Sequence, residues 1–322
     1  MLKLNLKEKK LLYWLDQNSR ATNKELGKKV GLTEQAIGYK IKRLQEKGII
    51  KKFVTFINTP SLGYQHYKIF LKLHNTTEEI ENNITASLSS NPNIRWVGST
   101  SGKYDMSFSV LAKTPTEFSE IYNSIESQFG KHIIEKNILI NITSPGFTRD
   151  FLINRKESKK FEYKTSKEPA IIDETDKKIL KAISQDARKK TVSIAKETNT
   201  TMDIVKYRLK KLKEKCVISG FTIQLDLEKL GYEYYSVFFY TFNLNRQVEN
   251  KMLSFARFHP NILFLVKVLG SHDLQLEFEV KHYAELETNL KEFRHQFVDH
   301  LRDFEILRVT KEHKYDFFPF SI

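Results

Sequence analysis

Cysteine and long hydrophobic runs are nearly absent from this chain of 322 residues. Its one cysteine, Cys216, excludes an internal disulfide and a cysteine-rich zinc site. The position of Cys216 after a predicted helix favours a buried or capping role over a reactive thiol. Apolar stretches such as Ile262–Val266 are far too short to span a bilayer, and Met1–Asn5 lack the apolar core of a signal peptide. We therefore expect a cytoplasmic protein with no membrane partner.

Catalytic constellations are missing as well. His295 and His300 are five residues apart, so they do not share a helix face as metal ligands four residues apart would. His272 and His313 each stand alone in the sequence. This pattern predicts neither an enzyme nor a bound metal or cofactor.

Positive charge is what the chain has in excess. It contains 53 lysines and arginines against 39 acidic residues, for a net charge of +14. Such a balance favours polyanions such as nucleic acid, because bound cationic side chains release counterions. A solvated basic surface would give the same net charge. The positions of the charges along the chain therefore have to distinguish such a surface from a nucleic-acid binding site. The length and a hydrophobic content of 40% indicate two or more folded domains.

The two halves of the chain match at a constant offset of 168 residues. Leu62-Gly63-Tyr64 returns as Leu230-Gly231-Tyr232, and seventeen residues between positions 9 and 64 are identical at this offset. A repeat this long is a duplicated set of domains, since solenoid units span only about 20–50 residues. The chain can therefore act at two places, as a DNA reader with twofold symmetry does.

Helix signals open each half. Thr22 and Glu25 form a capping box, the helix they start ends at Gly31, and Thr33 caps a third helix that closes at Gly48. Three short helices with a tight turn before the last are typical of a helix-turn-helix domain. A β-rich segment follows as a wing or linking strand.

Strands and helices then alternate in the order βαββαβ, which is typical of a ferredoxin-like domain. The fold class is therefore α+β, with two copies of a winged-type helix-turn-helix domain, each followed by a ferredoxin-like effector domain. The predicted units are helix-turn-helix domains over 1–60 and 171–228, ferredoxin-like domains over 61–153 and 229–322, and a basic linker over 154–170. The low apolar content of the linker, with Pro169 at its end, indicates a mobile joint.

The third helix of each helix-turn-helix carries the candidate DNA contacts, because such a helix lies in the major groove. Its predicted exposed face, with flanking positions, comprises Thr33, Gln35, Tyr39, Lys40, Lys42 and Arg43 in the first copy, and Thr201, Lys206, Tyr207, Arg208, Lys210 and Lys211 in the second. Gln35 could read adenine through its amide, and the tyrosines could stack or reach phosphate. The two threonines lie where a hydroxyl and free helix N–H groups can hold phosphate. An ordinary solvated helix face is the alternative interpretation.

The two third helices differ in charge. Segment 33–48 carries four basic and two acidic residues, net +2, whereas segment 201–216 carries six and two, net +4. We expect the second copy to contribute more phosphate affinity. Asp203 stands where the first copy has Gln35, and it would repel phosphate unless it accepts from cytosine. The two copies should therefore prefer different half-sites.

Segment 22–50 resembles the helix-turn-helix of the leucine-responsive/asparagine-synthetase regulator (Lrp/AsnC) family, and Asp173–Leu180 is close to that family's opening motif. The family's third-helix pattern is met by Ile37–Ile41 and Val205–Leu209, so the resemblance covers nearly the whole chain, twice. It implies a sequence-specific transcriptional regulator whose partner is double-stranded DNA. It also implies effector domains that pair through their sheets and can bind a small molecule such as an amino acid.

In that family a glycine-x-x-aspartate turn joins the second and third strands of the effector domain. Here the turns are Gly102…Asp105 and Gly270…Asp273, and the resemblance implies effector contact at these four residues. Glycine permits the tight turn, and the carboxylate could hold an ammonium group. Alternatively, the carboxylate only bonds amides of the turn.

Three questions stay open at this point. The effector domains could pair within the chain as a pseudo-dimer, or between chains as a homo-oligomer. The chain could be an architectural protein that binds DNA through lysine–phosphate contacts with little sequence preference. Sirohaem decarboxylases share this fold, but their pattern of a histidine and a Tyr-Asn pair on the third effector strand is absent from segments 104–108 and 272–276.

Overall fold

The computed structural model describes residues 3–154 and 168–320, so residues 155–167 of the predicted linker lie outside the described residues. The first half contains α1 (Leu6–Gln17), α2 (Asn23–Val30), α3 (Glu34–Glu46), β1 (Ile50–Ile57), β2 (Gln65–Leu73), α4 (Glu78–Ser90), β3 (Ile94–Ser101), β4 (Met106–Ala112), α5 (Pro115–Phe129) and β5 (Ile133–Thr143). The second half contains α6 (Glu174–Gln185), α7 (Thr191–Glu197), α8 (Met202–Glu214), β6 (Ile218–Leu225), α9 (Leu227–Leu230), β7 (Glu233–Thr241), α10 (Arg246–Phe258), β8 (Ile262–Leu269), β9 (Leu274–Val280), α11 (Tyr283–Gln296) and β10 (Leu301–Tyr315). This order confirms the predicted α+β class.

Local sequence signals set the helix ends. The Thr22 hydroxyl accepts from the Glu25 amide while the Glu25 carboxylate accepts from the Thr22 amide, which completes the predicted capping box. Helix α2 ends at Gly31, whose φ of +72° lies in the left-handed region that glycine favours. Asp173 and Asp176 form the equivalent box at the start of α6.

The strand that follows each helix-turn-helix joins the two copies. Strand β1 pairs antiparallel with β6, with Phe53 opposite Ile223 and Thr55 opposite Phe221. The segment predicted as a wing or linking strand is therefore a link between the copies. We call α1–α3 with β1 the first head and α6–α8 with β6 the second head. One hydrophobic core runs through both, from Leu11 and Ile37 to Ile183 and Val205.

Two arginines related by the repeat fasten the heads to each other. Arg20 donates to the carbonyls of Ala187 and Lys189, at 2.6 and 3.3 Å. Arg188 donates to the carbonyls of Ser19 and Ala21, at 2.6 and 2.8 Å. Each donor and acceptor in one pair maps onto the other at the offset of 168, so the heads are related by a local twofold axis. Burial lowers the pKa of both guanidinium groups.

The effector regions form one eight-stranded sheet that closes on itself, in the order β10-β3-β4-β2-β5-β8-β9-β7. Each half contributes four strands, and the halves join where β5 pairs with β8 and where β10 pairs with β3. We call this unit the closed sheet. The pairing of the two effector regions thus occurs within the chain. Residues of both halves, among them Phe70, Leu139, Phe238 and Leu307, form the small core between them.

Strand β10 is longer than the sequence predicts. The β-rich composition of the sequence predicts a strand over Phe304–Glu312, whereas the observed strand spans Leu301–Tyr315. The difference arises because β10 pairs first with β7 of its own half and then with β3 of the other half. Among the described residues, no helix combines the length and the hydropathy that crossing a membrane requires.

Candidate nucleic-acid interface

Helices α3 and α8 present the predicted recognition faces to solvent. Tyr39 is 66% exposed and its repeat partner Tyr207 is 58% exposed, although tyrosine usually buries most of its ring. The other polar residues exposed on these two faces are Gln35, Lys42, Arg43, Asp203, Lys206, Lys210 and Lys211. On the buried side, Ile37 and Val205 belong to the shared core of the heads. Packing thus fixes each helix while it leaves the opposite face free for a partner.

Thr33 and Thr201 act as N-caps. The Thr33 hydroxyl accepts from the Ala36 amide at 3.2 Å, and the Thr201 hydroxyl accepts from the Ile204 amide at 3.3 Å. Both threonines are exposed. Because a hydroxyl that accepts from an amide keeps its own proton, each can still donate to a phosphate oxygen.

Most charges on α8 have partners on the same helix. The Lys206 ammonium lies 3.2 Å from the Asp203 carboxylate, and Lys210 and Lys211 lie 3.9 and 3.0 Å from the Glu214 carboxylate. The hydrogen bond to Glu214 raises the pKa of Lys211. Exposed ion pairs of this kind contribute little to stability, so phosphate can compete for these lysines.

The predicted DNA contacts do not include two exposed apolar side chains on α8. Met202 and Ile204 are 48% and 42% exposed, at positions where α3 has Glu34 and Ala36. An exposed apolar side chain at the start of a recognition helix can contact the methyl group of thymine. An alignment of α3 with α8, position by position, would have identified both residues.

Lys40 and Arg208, both predicted to contact DNA, form ion pairs with the first helix of their own head. The Lys40 ammonium lies 3.9 Å from the Glu8 carboxylate, and Arg208 forms ion pairs with Asp173 and Asp176. Glu8 and Asp176 are repeat partners, so both halves contain the same link between the first and third helices. The bond to Asp173 raises the pKa of Arg208. DNA contact by these two residues stays a prediction, and such contact would compete with these carboxylates.

The carboxylates of the aspartates in the two predicted effector turns already accept hydrogen bonds from residues of neighbouring strands. Asp105 accepts from the Leu73 amide at 2.8 Å and from the Lys72 ammonium at 2.9 Å. Asp273 accepts from the Thr241 amide at 2.7 Å and from its hydroxyl at 3.0 Å. An effector's ammonium group would have to share or displace these donors, so effector contact at these residues stays a prediction.

The glycines of the same turns lie at the junction between the halves. Gly102 has a φ of +123°, and a Cβ added to it would lie 3.1 Å from the carbonyl oxygen of Ile306. Gly270 has a φ of +152°, and its Cβ would lie 3.1 Å from the carbonyl oxygen of Ile138. Ile138 and Ile306 are repeat partners. Each turn therefore packs against the last strand of the other half, which leaves no room for a side chain.

Arg149 links the first head to the closed sheet, and no motif identified it. Its guanidinium binds the Asp16 carboxylate of α1 at 2.7 Å and the Glu279 carboxylate of β9 at 2.8 Å. All three side chains are almost fully buried. The repeat partners are Phe317, Ser184 and Leu111, so the link exists on one side only. The sequence held no signal for it, since the three residues are far apart in the chain.

The comparisons with known proteins agree with this geometry. A model of winged helix-turn-helix DNA-binding domains matches residues 4–51, and an AsnC-type helix-turn-helix model matches residues 172–213. The HTH-type transcriptional regulator FL11 of Pyrococcus furiosus is 33% identical over 128 residues, which are 39% of this chain and 83% of that protein. The HTH-type transcriptional regulator LrpA of Pyrococcus horikoshii is 45% identical over 62 residues, which are 19% of this chain and 44% of that protein.

A solved structure resembles the chain over almost its whole length. The siroheme decarboxylase NirDL superposes with a TM-score of 0.62, covering 98% of this chain and 94% of that one, at 14% sequence identity. At this identity the likeness concerns the fold alone. Among residues 3–154 and 168–320, no group of three histidine, cysteine or acidic side chains is placed to hold a metal ion.

Proposed function

The chain belongs to the Lrp/AsnC family of DNA-binding transcriptional regulators, and from this membership we propose that a single chain reads an operator with both of its recognition helices. The observation that carries the proposal is the locked pair of heads. The β1–β6 ladder and the reciprocal bonds of Arg20 and Arg188 hold α3 and α8 in a fixed relation within one polypeptide. A fixed pair of recognition helices can engage two successive half-sites without a second chain.

We assign sequence reading to the exposed faces of α3 and α8. Gln35 and Asp203, at equivalent positions near the helix starts, face base edges, whereas Lys42 and Lys210 contact phosphates. Tyr39 and Tyr207 stack or reach the backbone beside them. The chain acts by occupying promoter DNA, which also implies a cytoplasmic location.

The test replaces Tyr207 and Lys210 together by alanine. Because both side chains are exposed and make few contacts within the chain, the variant should stay folded yet bind a genomic target site at least tenfold more weakly in gel shifts. The salt dependence of binding should also become shallower by about one unit of slope, since one phosphate contact is lost.

A matched control replaces Lys281 and Tyr283, which are also exposed, by alanine in the closed sheet region. This control removes the same charge and ring but should bind DNA like the parent chain. Equal affinities of both double variants for the target would rule out the assignment of α8. Equal affinities of the parent for target and random DNA at physiological salt would instead favour the architectural function.

We also propose that the chain is not an enzyme and needs no cofactor. The family membership and the missing histidine and Tyr-Asn pattern support this. A titration with an iron porphyrin, followed in the visible spectrum, should show no saturating Soret shift. A Soret shift that saturates at one porphyrin per chain would instead support a function as a sirohaem decarboxylase.

A further inference from the structure

Four ion pairs between described residues join the first half of the chain to the second half. They are Lys51–Asp226, Lys68–Glu277, Lys103–Glu305 and Arg149–Glu279, with nitrogen–oxygen distances of 3.6, 2.9, 3.0 and 2.8 Å. In each pair the first half supplies the cation and the second half supplies the carboxylate. We call them the cross-half pairs. The surface between the halves is therefore polarised, with positive charge on one side and negative charge on the other.

The duplication does not account for these charges. The repeat partners of the eight residues are all uncharged, namely Ser219, Asn58, Ser236, Ser109, Ser271, Asn137, Phe317 and Leu111 in the same order. Both effector regions nevertheless adopt the same βαββαβ order. The fold of a half thus does not require the charges, which points to a role in the choice of a partner.

Two of the cross-half pairs are buried. The Lys68 and Glu277 side chains are 10% and 9% exposed, and those of Arg149 and Glu279 are 10% and 2% exposed. Replacing both members of a buried pair by uncharged residues is often tolerated, whereas removing one member leaves an unpaired buried charge and strongly destabilises the fold. The two buried pairs therefore discriminate between partners more strongly than the two partly exposed ones.

Like halves from two chains would not satisfy the buried charges. Because a local twofold axis relates the halves, two first halves could meet in the same geometry as a first and a second half. Ser109 of the other chain would then occupy the position of Glu277, and Lys68 would lose its carboxylate. In a pair of two second halves, Ser236 would take the place of Lys68 opposite Glu277. Pairs of like halves would therefore bury charges without counter-charges.

The junction of the heads does not make this distinction. Arg20 and Arg188 are repeat partners, and both donate to main-chain carbonyls. The β1–β6 ladder likewise consists of main-chain hydrogen bonds. Heads from like halves could form the same bonds, so the choice of partner falls to the cross-half pairs.

We propose that the cross-half pairs determine which halves assemble, so that a first half accepts only a second half, from its own chain or from a second copy. The first half is synthesised before the second one exists, and this pairing rule prevents it from joining the first half of a neighbouring chain in that interval. Each assembled unit then contains one α3 and one α8, which keeps the operator asymmetric. This consequence rests on the proposed operator binding, whereas the pairing rule does not.

The test uses two full-length variants, Lys68→Ser and Glu277→Ser, each of which installs the residue at the equivalent position of the other half. Within one chain, each variant leaves one buried charge unpaired. The two chains are unfolded in urea, mixed and refolded, so neither has to be stable alone. Native mass spectrometry should show mainly one-to-one dimers, because the intact Lys68 of one chain then meets the intact Glu277 of the other. The parent chain refolded alone should be a monomer.

Lys72→Ser is the matched control, because Lys72 lies on the same strand as Lys68 but pairs with Asp105 of its own half. Mixed and refolded with the Glu277→Ser chain, it should give no dimers. A second control is the chain that carries both Lys68→Ser and Glu277→Ser. It should be a monomer that unfolds at a higher urea concentration than either single variant, since it leaves neither charge of this pair unpaired.

Two results would overturn the pairing rule. One is a refolded mixture of the Lys68→Ser and Glu277→Ser chains that contains monomers only. The other is a double variant that is less stable than both single variants, as expected if each side chain only stabilised its own surroundings. None of these measurements involves DNA, so their outcome is independent of the proposed operator binding.

Discussion

At the scale of single residues, burial sets the properties that the sequence alone leaves undefined. His272 was an isolated histidine in the sequence, yet it is 2% exposed and stacks on Phe238 with ring centroids 4.3 Å apart. Burial, with help from Lys68 and Lys103 and against Asp273, lowers its pKa to about 3. The imidazole is therefore neutral in the folded chain well below the pH at which an unfolded histidine takes up a proton.

This shift predicts a pH dependence of stability. Between pH 6.5 and about 3 the unfolded chain binds a proton at His272 that the folded chain does not, so stability falls as the pH falls through this window. In His272→Gln, the difference in the free energy of unfolding between pH 7 and pH 5 should shrink by about 2 kcal/mol. Urea unfolding at the two pH values measures it.

The matched control is His295→Gln, because His295 is exposed. Its stability should depend on pH as that of the parent chain does. An identical loss of stability between pH 7 and pH 5 in the His272 variant, the His295 variant and the parent would show that His272 does not carry the effect.

At the scale of secondary-structure elements, the local signals fixed where elements begin and end but not which strands pair. The capping residues Thr22, Thr33 and Thr201 lie at helix starts as predicted. Strand β1, in contrast, has its partner 168 residues away in the repeat. Because strand pairing depends on contacts between distant segments, its composition could indicate a strand but not its neighbour.

The junction of the heads gives a prediction at this scale. Arg188→Met removes the donor to the carbonyls of Ser19 and Ala21 while keeping much of the side-chain volume. The free energy of unfolding of the chain should fall by about 1–3 kcal/mol, because half-buried carbonyls lose their partner. Arg20→Met should lower the free energy of unfolding by a similar amount, because Arg20 makes the equivalent bonds to the other head.

Lys190→Met serves as the control, because it removes the same charge from an exposed residue two positions away. Its stability in urea should differ from the parent by less than about 0.5 kcal/mol. If both arginine variants are as stable as this control, the arginines do not hold the heads together.

At the scale of the whole molecule, duplication supplies a symmetric scaffold with unequal surfaces. Both copies have a tyrosine and a lysine at equivalent positions of the recognition helix. Asp203 of α8, however, corresponds to Gln35 of α3, and the exposed Met202 and Ile204 occur on α8 only. The heads are nevertheless related by a local twofold axis. The operator should therefore contain two half-sites of different sequence.

Selection of bound sequences from random DNA tests this expectation. The parent chain should select a site without internal symmetry, and Asp203→Gln should change the preferred bases in one half-site only, because each half-site meets one helix. Glu214→Gln removes the same charge from the far end of α8 and should leave the selected sequence unchanged. Selection of two identical half-sites by the parent would contradict the asymmetry.

The sequence by itself determined the repeat, the helix-turn-helix units, the order of strands and helices, and the exposed faces of α3 and α8. These features depend on residues a few positions apart, where caps and periodicity act, or on identity at a constant offset. Only the tertiary structure decided that the heads are joined by β1 and β6, that Arg149 bridges the first head and the closed sheet, and that His272 is buried against Phe238. Each of these depends on which distant segments pack together, and burial then sets the charge state of residues such as His272.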